Sequence, residues 1–394
     1  MELNNLEELQ SDVFRCATCG RDARGPWDPF PPRGPTPDRI CPSYEMYKSL
    51  GYAAQGYISV ARALLEGKIE PSTELIDHIY QCLMCGSCEK CCEQSAGVPI
   101  LSILQAMRAD LVANGYGPSE RFKKTAAAIK SKGNRFGLPQ EKRSNWIPEG
   151  MSLPQKGDLL FFAGCVSSFR EPETAQAVVK ILDKVGITPA YLGENEWCCG
   201  GPTLFETGQM EQFKTVVSHN VEAIRAAGAK EVIIACACGY KTFKIDYPEV
   251  VGNLGFKVTH ISEYLARLVE NGTLKLNTPR KEVVTYHDPC QLGRSTKIYA
   301  EPRKVLEAVP ELELVEIEGN KELTLCCGRY HVELPEVSGK AASDRLNDAK
   351  ATGAKTLITS CSFCKWNLKH AADSEGADMK VVDLVEVVSQ SMGL

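Results

Sequence analysis

The sequence lacks the features that mark membrane or nucleic-acid proteins. No apolar run approaches the ~20 residues of a membrane helix, and residues 1–8 show no charged-then-apolar leader. A cytoplasmic protein is expected, touching a membrane only through a partner. A net charge of −5 with no basic cluster excludes nucleic acid as a partner class. No G-x-G-x-x-G follows a strand-like run, so any flavin or nicotinamide must sit on another subunit. Histidine is scarce, six residues in 394, and His78, His219, His260 and His370 carry no signal beyond core or surface filling.

What the chain has is cysteine, eighteen residues, all of them falling in cluster-like patterns. In a reducing compartment such thiols serve metal rather than disulfides. A hydrophobic content of 43% suffices for real cores, and the length suits two or three domains of roughly 100–200 residues each.

Five cysteines run in the order Cys290, Cys326-Cys327, Cys361-x-x-Cys364. The same order occurs earlier as Cys165, Cys198-Cys199, Cys236-x-Cys238, displaced by 125, 128 and 125 residues. This is an internal duplication. A mononuclear zinc site closes with four ligands, so five thiols are one too many. Adjacent residues such as Cys326 and Cys327 point apart and rarely share one metal, but they reach different irons of one cluster. A cluster is the sharper reading; zinc with a spare thiol, or disulfides, remain open.

Upstream, Cys82-x-x-Cys85-x-x-Cys88-x-x-Cys91-Cys92 follows the spacing of two-cluster ferredoxins. Read that way, Cys82, Cys85, Cys88 and the distal Cys41 hold one [4Fe–4S] cluster. Cys16, Cys19, position 22 and Cys92 hold the other. Position 22 is aspartate, a harder ligand than thiolate. Asp22 then completes the first cluster, or that cluster is a three-iron form, or Cys91 substitutes, or Asp22 only caps the turn. The six prolines between positions 23 and 40 exclude regular structure there, leaving a lid, a docking arm or a plain surface loop.

Apolar residues at helical spacing predict helices over 44–67, 71–80 and 100–113. Residues 118–156, polar and broken by glycine and proline, read as a linker. Beyond it strands and helices alternate. Strands are expected at 158–163, 188–192, 231–235, 282–286, 312–317 and 356–359, with helices at 172–185, 206–227, 301–308 and 336–351. Each repeat is therefore an α/β unit with a mainly parallel sheet, its cysteines beyond the carboxyl ends of strands where such sheets bind ligands.

The doubled pattern C-x(31–39)-C-C-G-x(35–38)-C-x-x-C, after a two-cluster ferredoxin module, resembles the CCG-domain iron–sulfur oxidoreductase family. It is most like the D subunit of heterodisulfide reductase, in effect fused C and B subunits, and similar to the iron–sulfur subunits of glycolate, lactate and glycerol-3-phosphate oxidising enzymes. The resemblance implies an overall α+β chain. Residues 1–117 form a helical two-cluster ferredoxin-like domain, 118–156 the linker, 157–275 a first and 276–394 a second α/β CCG domain.

It also implies noncubane [4Fe–4S] clusters, one on Cys290, Cys326, Cys327, Cys361 and Cys364, where a disulfide is cleaved, and one on Cys165, Cys198, Cys199, Cys236 and Cys238. The first repeat departs from the pattern, because its last cysteine stands one residue early and Gly239 occupies its usual place; zinc is an alternative there. His287 precedes Cys290 in a family motif and reads as a supporting or turn residue. After Cys327-Gly328, where the family often has glycines, Arg329 is expected to pair with an anionic substrate group and His331 to protonate a leaving thiolate. Both stand equally well as solvated surface. The expected partners are a flavin- or haem-containing redox subunit and a small disulfide or thiol substrate. The runner-up is the iron–sulfur subunit of a flavin-dependent 2-hydroxyacid dehydrogenase; a zinc-stabilised docking subunit is the third reading.

Overall fold

Short apolar runs set the two sheets. In the computed structural model, which describes residues 1–24, 39–93 and 95–394 without the side chains of Asp22 and Arg24, β1 (Leu159–Phe162), β2 (Glu231–Ile234) and β3 (Lys257–His260) pair in that order. The second sheet holds β4 (Glu282–His287), β5 (Leu312–Glu316), β6 (Thr356–Thr359) and β7 (Lys380–Asp383), in the order β5-β4-β6-β7. Every pairing is parallel.

Alternation along the strands feeds two cores. Leu160, Phe162, Val232 and Ile234 face one, while Phe161 and Ile233 face the other together with Tyr286, Ile358 and Val382 of the second sheet. The repeats thus share both cores. Helix Pro172–Lys184 of the first packs on helix Leu384–Ser391 of the second, and helix Ile261–Glu270 on helix Ala300–Glu307.

Three expectations change here. Residues 188–192 form no strand: Ala190 makes a single parallel bridge to Leu160. On either side of that bridge the chain leaves the sheet: Tyr191 N donates to the Pro154 carbonyl at 2.8 Å instead. The edge strands β3 and β7 are absent from the sequence expectations; both lead into a capping box, His260 with Glu263 and Asp383 with Glu386. Residues 118–156, expected as a polar linker, carry helix Glu120–Lys132 with Phe122, Ala126 and Ile129 buried, and Trp146 is 1% exposed. Each fully buried large apolar side chain contributes roughly 1.5–3 kcal/mol, so the segment is packed structure.

The N-terminal helices, chiefly Ala54–Leu65, Thr73–Ile79 and Ile100–Ala113, share a third core with Cys326, Tyr330, Leu334 and Val337 of the second repeat. The first described helices, Asn4–Glu8 and Gln10–Arg15, join it through Leu6 and Val13. The second repeat is therefore the one seated against the N-terminal cysteine motif. No helix among the described residues is long and apolar enough to cross a membrane.

Candidate metal centres

Cys41, Cys82, Cys85 and Cys88 line one cavity, closed by Tyr57, Leu101 and Leu104. The tight loop depends on left-handed backbone at Met84 (φ 52) and Gly86 (φ 75), which turns the chain into helix Ser87–Cys92. Its N–H groups face sulfur: Met84 N lies 3.4 Å from Cys82 Sγ. Burial pushes the Cys82 thiol up to about 11 and, with the neighbouring Cys85, Cys82 and Cys41, holds Cys88 well above the usual thiol range. Buried thiols crowded in this way ionise only beside a cation.

The other N-terminal group is more open. Cys19 is exposed, Cys16 and Cys92 are half-buried, and Cys91 is buried. Helix Arg21–Arg24 packs on helix Ser87–Cys92, bringing the first loop to the second motif. Val98 N reaches Cys92 Sγ at 3.3 Å. The Asp22 side chain, and with it the expected ligation by Asp22, lies outside the described residues. So does most of the proline-rich insertion.

In the first repeat, Cys165, Cys198, Cys199, Cys236 and Cys238 all line one cavity, together with Arg135 and Phe363. Cys165 sits just beyond β1 and Cys236 just beyond β2. The pair Cys198-Cys199 is held by Gly200 (φ 78) and by Gly201, where a Cβ would meet Thr242 Oγ1 at 1.8 Å. Only glycine lets that loop close on the cavity.

In the second repeat Cys326 is within hydrogen-bonding reach of Cys290, Cys327 and Cys85, the last belonging to the N-terminal motif. Cys364 reaches Cys327 and Cys361. Burial, reinforced by the neighbouring Cys236, pushes Cys361 well above the usual thiol range. The two repeats meet at sulfur: Cys236 Sγ lies 3.9 Å from Cys361 Sγ. Ligand atoms of Cys236, Cys238 and Cys361 all lie within 4.8 Å of one another, as do those of His287, Cys327 and Cys364. The one-residue displacement of Cys238 thus leaves it among the other thiols, on the side facing the second repeat.

His287 is buried, and its Nδ1 accepts from Arg345 Nε at 3.1 Å. That hydrogen bond leaves Nε2 to carry the proton, on the ring that faces Cys327.

Arg329 does not meet solvent. It is 1% exposed and pairs with Glu206, donates to the Leu83 and Met84 carbonyls (2.9 and 3.1 Å), and reaches Cys238 Sγ at 3.7 Å. Its donors are spent on the N-terminal loop and the first repeat, so the expected pairing with a substrate anion gives way to a clamp. His331 is half-buried, stacked on His370 at 4.9 Å and edge-on to Trp366 at 4.1 Å. Burial lowers its pKa, and its Nδ1 has no hydrogen-bond partner.

Sequence reasoning missed five charged groups. Arg143, fully buried, reaches Cys165 Sγ at 3.6 Å and pairs with Glu196 at 2.7 Å. Glu196, likewise buried, accepts from Ala163 N and Gly164 N at 2.9 and 2.8 Å. Arg135 pairs with Glu333 at 2.8 Å. Glu206 also accepts from Tyr330 Oη at 2.7 Å. The two arginines come from the stretch read as linker, and nothing near them in sequence marks a site. The one usable signal was Glu196, an acidic residue two positions before a cysteine pair.

With this geometry in hand, comparison with known proteins is specific. The cysteine-rich CCG domain family model matches residues 159–243 and 284–369. The D subunit of the dihydromethanophenazine:CoB–CoM heterodisulfide reductase of Methanosarcina barkeri is 33% identical over 405 residues, covering 100% of this chain and 98% of that protein. EtfAB:quinone oxidoreductase of Syntrophomonas wolfei is 32% identical over 80% of this chain and 46% of its own length. Among solved structures, a hypothetical protein from Helicobacter pylori matches the fold with a TM-score of 0.59 at 12% identity, over 87% of this chain and 68% of that one. The chain belongs to the CCG-domain family that includes the D subunit of heterodisulfide reductase.

Proposed function

We propose that this chain is an iron–sulfur oxidoreductase subunit that carries electrons from its N-terminal cysteine motifs to the CCG repeats, where a small disulfide is reduced. The observation that carries this reading is an unbroken row of sulfur. The cavity of Cys41, Cys82, Cys85 and Cys88 touches Cys326 through Cys85, and the second repeat touches the first at Cys361 and Cys236.

The donor sets fit the groups assigned to them. All are buried or half-buried thiols except Cys19, which is exposed, and Asp22. Cys41, Cys82, Cys85 and Cys88 would hold one [4Fe–4S] cluster. Cys16, Cys19 and Cys92, completed by Asp22 or Cys91, would hold a second, so that residues 1–117 act as a two-cluster ferredoxin-like module. Cys290, Cys326, Cys327, Cys361 and Cys364 would hold a noncubane cluster, and Cys165, Cys198, Cys199, Cys236 and Cys238 another, with zinc the alternative for the first repeat. Bound there, such clusters supply one-electron transfer and an open iron able to take a sulfur ligand.

The chain's own residues do the remaining work. Tyr57, Leu101, Leu104 and Phe363 keep water from the sulfurs, Arg329 and Arg294 lock the N-terminal loop onto the second repeat, and His331, whose buried Nδ1 has no hydrogen-bond partner, would give a proton to a departing thiolate. Arg294 donates to the Cys85 carbonyl at 2.8 Å. The electron donor is a flavin- or haem-containing partner subunit, and the setting is cytoplasmic, with membrane contact only through that partner. The similarity to EtfAB:quinone oxidoreductase, whose name concerns quinone and no disulfide, favours a second reading in which the same row drains a flavoprotein.

One experiment separates the two. Anaerobically purified protein is analysed for metal and by Mössbauer and EPR spectroscopy before and after adding candidate disulfides. About sixteen irons per chain and a new paramagnetic signal on adding disulfide would support disulfide reduction. About eight irons plus zinc, with no such signal, would leave an electron wire alone.

A further inference from the structure

The stretch 118–156 does more than join domains. Its short helix Gln140–Ser144 delivers Arg143, 0% exposed, to the first repeat. There Nη2 points at Cys165 Sγ (3.6 Å), Nη1 at Glu196 Oε1 (2.7 Å) and Nε at Gln140 Oε1 (3.3 Å), while the guanidinium lies 5.3 Å from the Phe169 ring centroid. From the other side Arg329 Nη1 reaches Cys238 Sγ at 3.7 Å. Among the described residues, both guanidinium–sulfur hydrogen bonds end on first-repeat cysteines; Arg294 and Arg329 act on Cys290 only at longer range. What faces Cys327 in the second repeat is an imidazole whose Nδ1 already accepts from Arg345.

We infer that Arg143 is a positioning residue that holds positive charge on Cys165 and makes the first-repeat centre the easier of the two to reduce. This rests on the reading that both repeats hold iron–sulfur centres. A charged donor makes a hydrogen bond about twice as strong as a neutral one. An added electron increases the negative charge on cluster sulfur and its ligands, so a cationic donor stabilises the reduced form more than the oxidised form and raises the potential. Glu196 opposes this, but two backbone N–H groups draw its charge away from the sulfur. The N-terminal motif meets the second repeat through Cys85 and Cys326, while the first repeat lies beyond Cys361. Electrons therefore enter at the second repeat, which is oxidised as the first is reduced, one electron at a time.

The test uses the full chain, purified anaerobically, with iron analysis and EPR-monitored redox titration against dithionite. Cys165→Ser identifies the signal of the first repeat. Arg143→Gln should keep its iron and lower that midpoint by at least a tenfold change in the reduced-to-oxidised ratio at fixed potential, 59 mV for one electron. Arg143→Lys, which keeps charge without the fork, should move it less in the same direction. Glu196→Gln should move it the opposite way. Iron retained with the midpoint unmoved in Arg143→Gln and Glu196→Gln overturns the inference and leaves the parent reading intact. Should Arg143→Gln lose iron, the sign of the Glu196→Gln shift decides: upward supports, downward or none overturns. If Cys165→Ser has the iron content and spectrum of the wild type, the first repeat holds no cluster, and the inference falls together with the premise that both repeats hold iron–sulfur centres.

Discussion

Cys236 Sγ lies 3.9 Å from Cys361 Sγ, although the two residues occupy matching places in the two repeats. Duplicated units usually keep their sites apart; here the sites touch. Cys361→Ser should therefore remove iron and disturb spectra from both repeats, whereas Cys290→Ser should affect one. Iron analysis and EPR of the two variants check this, and equal, single-site losses would refute it.

Gly208 sits where the N-terminal helices meet the first repeat. Its φ is +79 and a Cβ would lie 2.3 Å from the Arg108 carbonyl carbon, backbone that cannot yield cheaply. Gly186 has a similar φ of +77 and nothing within 4 Å. Gly186→Ala should cost about 1 kcal/mol of conformational strain, and Gly208→Ala at least ~2 kcal/mol more through overpacking. Apparent melting temperatures of the two variants give the comparison.

Arg329 and Glu206 are a buried ion pair spanning both repeats and the Leu83–Met84 loop. Arg329→Gln strands Glu206 without its cation and should cost ~3–5 kcal/mol. Limited proteolysis should then proceed faster than in the wild type. Arg329→Lys should recover only part of the loss, because an ammonium cannot serve Glu206 and two carbonyls with a planar fork.

Asp246 is buried beside Lys241, 2.6 Å from its Nζ, and its second oxygen has no hydrogen-bond partner. Burial raises its pKa to about 7, against the pull of Lys241. Between about pH 4, where an unfolded aspartate titrates, and about pH 7, the folded chain keeps a proton that the unfolded chain has released. This group therefore makes folding less favourable as pH rises through that window, and adds no further slope above it. Asp246→Asn should gain in melting temperature relative to wild type between pH 5 and pH 7.5; a constant difference would contradict the assignment.

Much of this was legible in the sequence, for identifiable reasons. The cysteine spacings form recognisable patterns, so the meeting of Cys41 with Cys82, Cys85 and Cys88, and of five thiols in the first-repeat cavity, could be read despite the helices and strands between them. The parallel strands carrying Cys165, Cys236, Cys290 and Cys361 are apolar runs, readable by pattern. Contacts of the charged side chains that carry no spacing pattern were not readable. Arg143 looked like one charge in a polar stretch and Arg329 like surface beside a site, because a long cationic side chain reveals its partner only after folding. The touching of Cys361 with Cys236, and of Cys326 with Cys85, depends on how whole helices dock.

The burial of these sulfurs bears on maturation. Cys290, Cys326, Cys327, Cys361 and Cys364 are each 5% exposed or less, and Cys326 is part of the core that joins the N-terminal helices to the second repeat. In the folded chain these five sulfurs are shielded from solvent. On the proposed reading, a cluster on these thiols is inserted before that seam closes, so a chain folded without iron should stay empty until it is unfolded again.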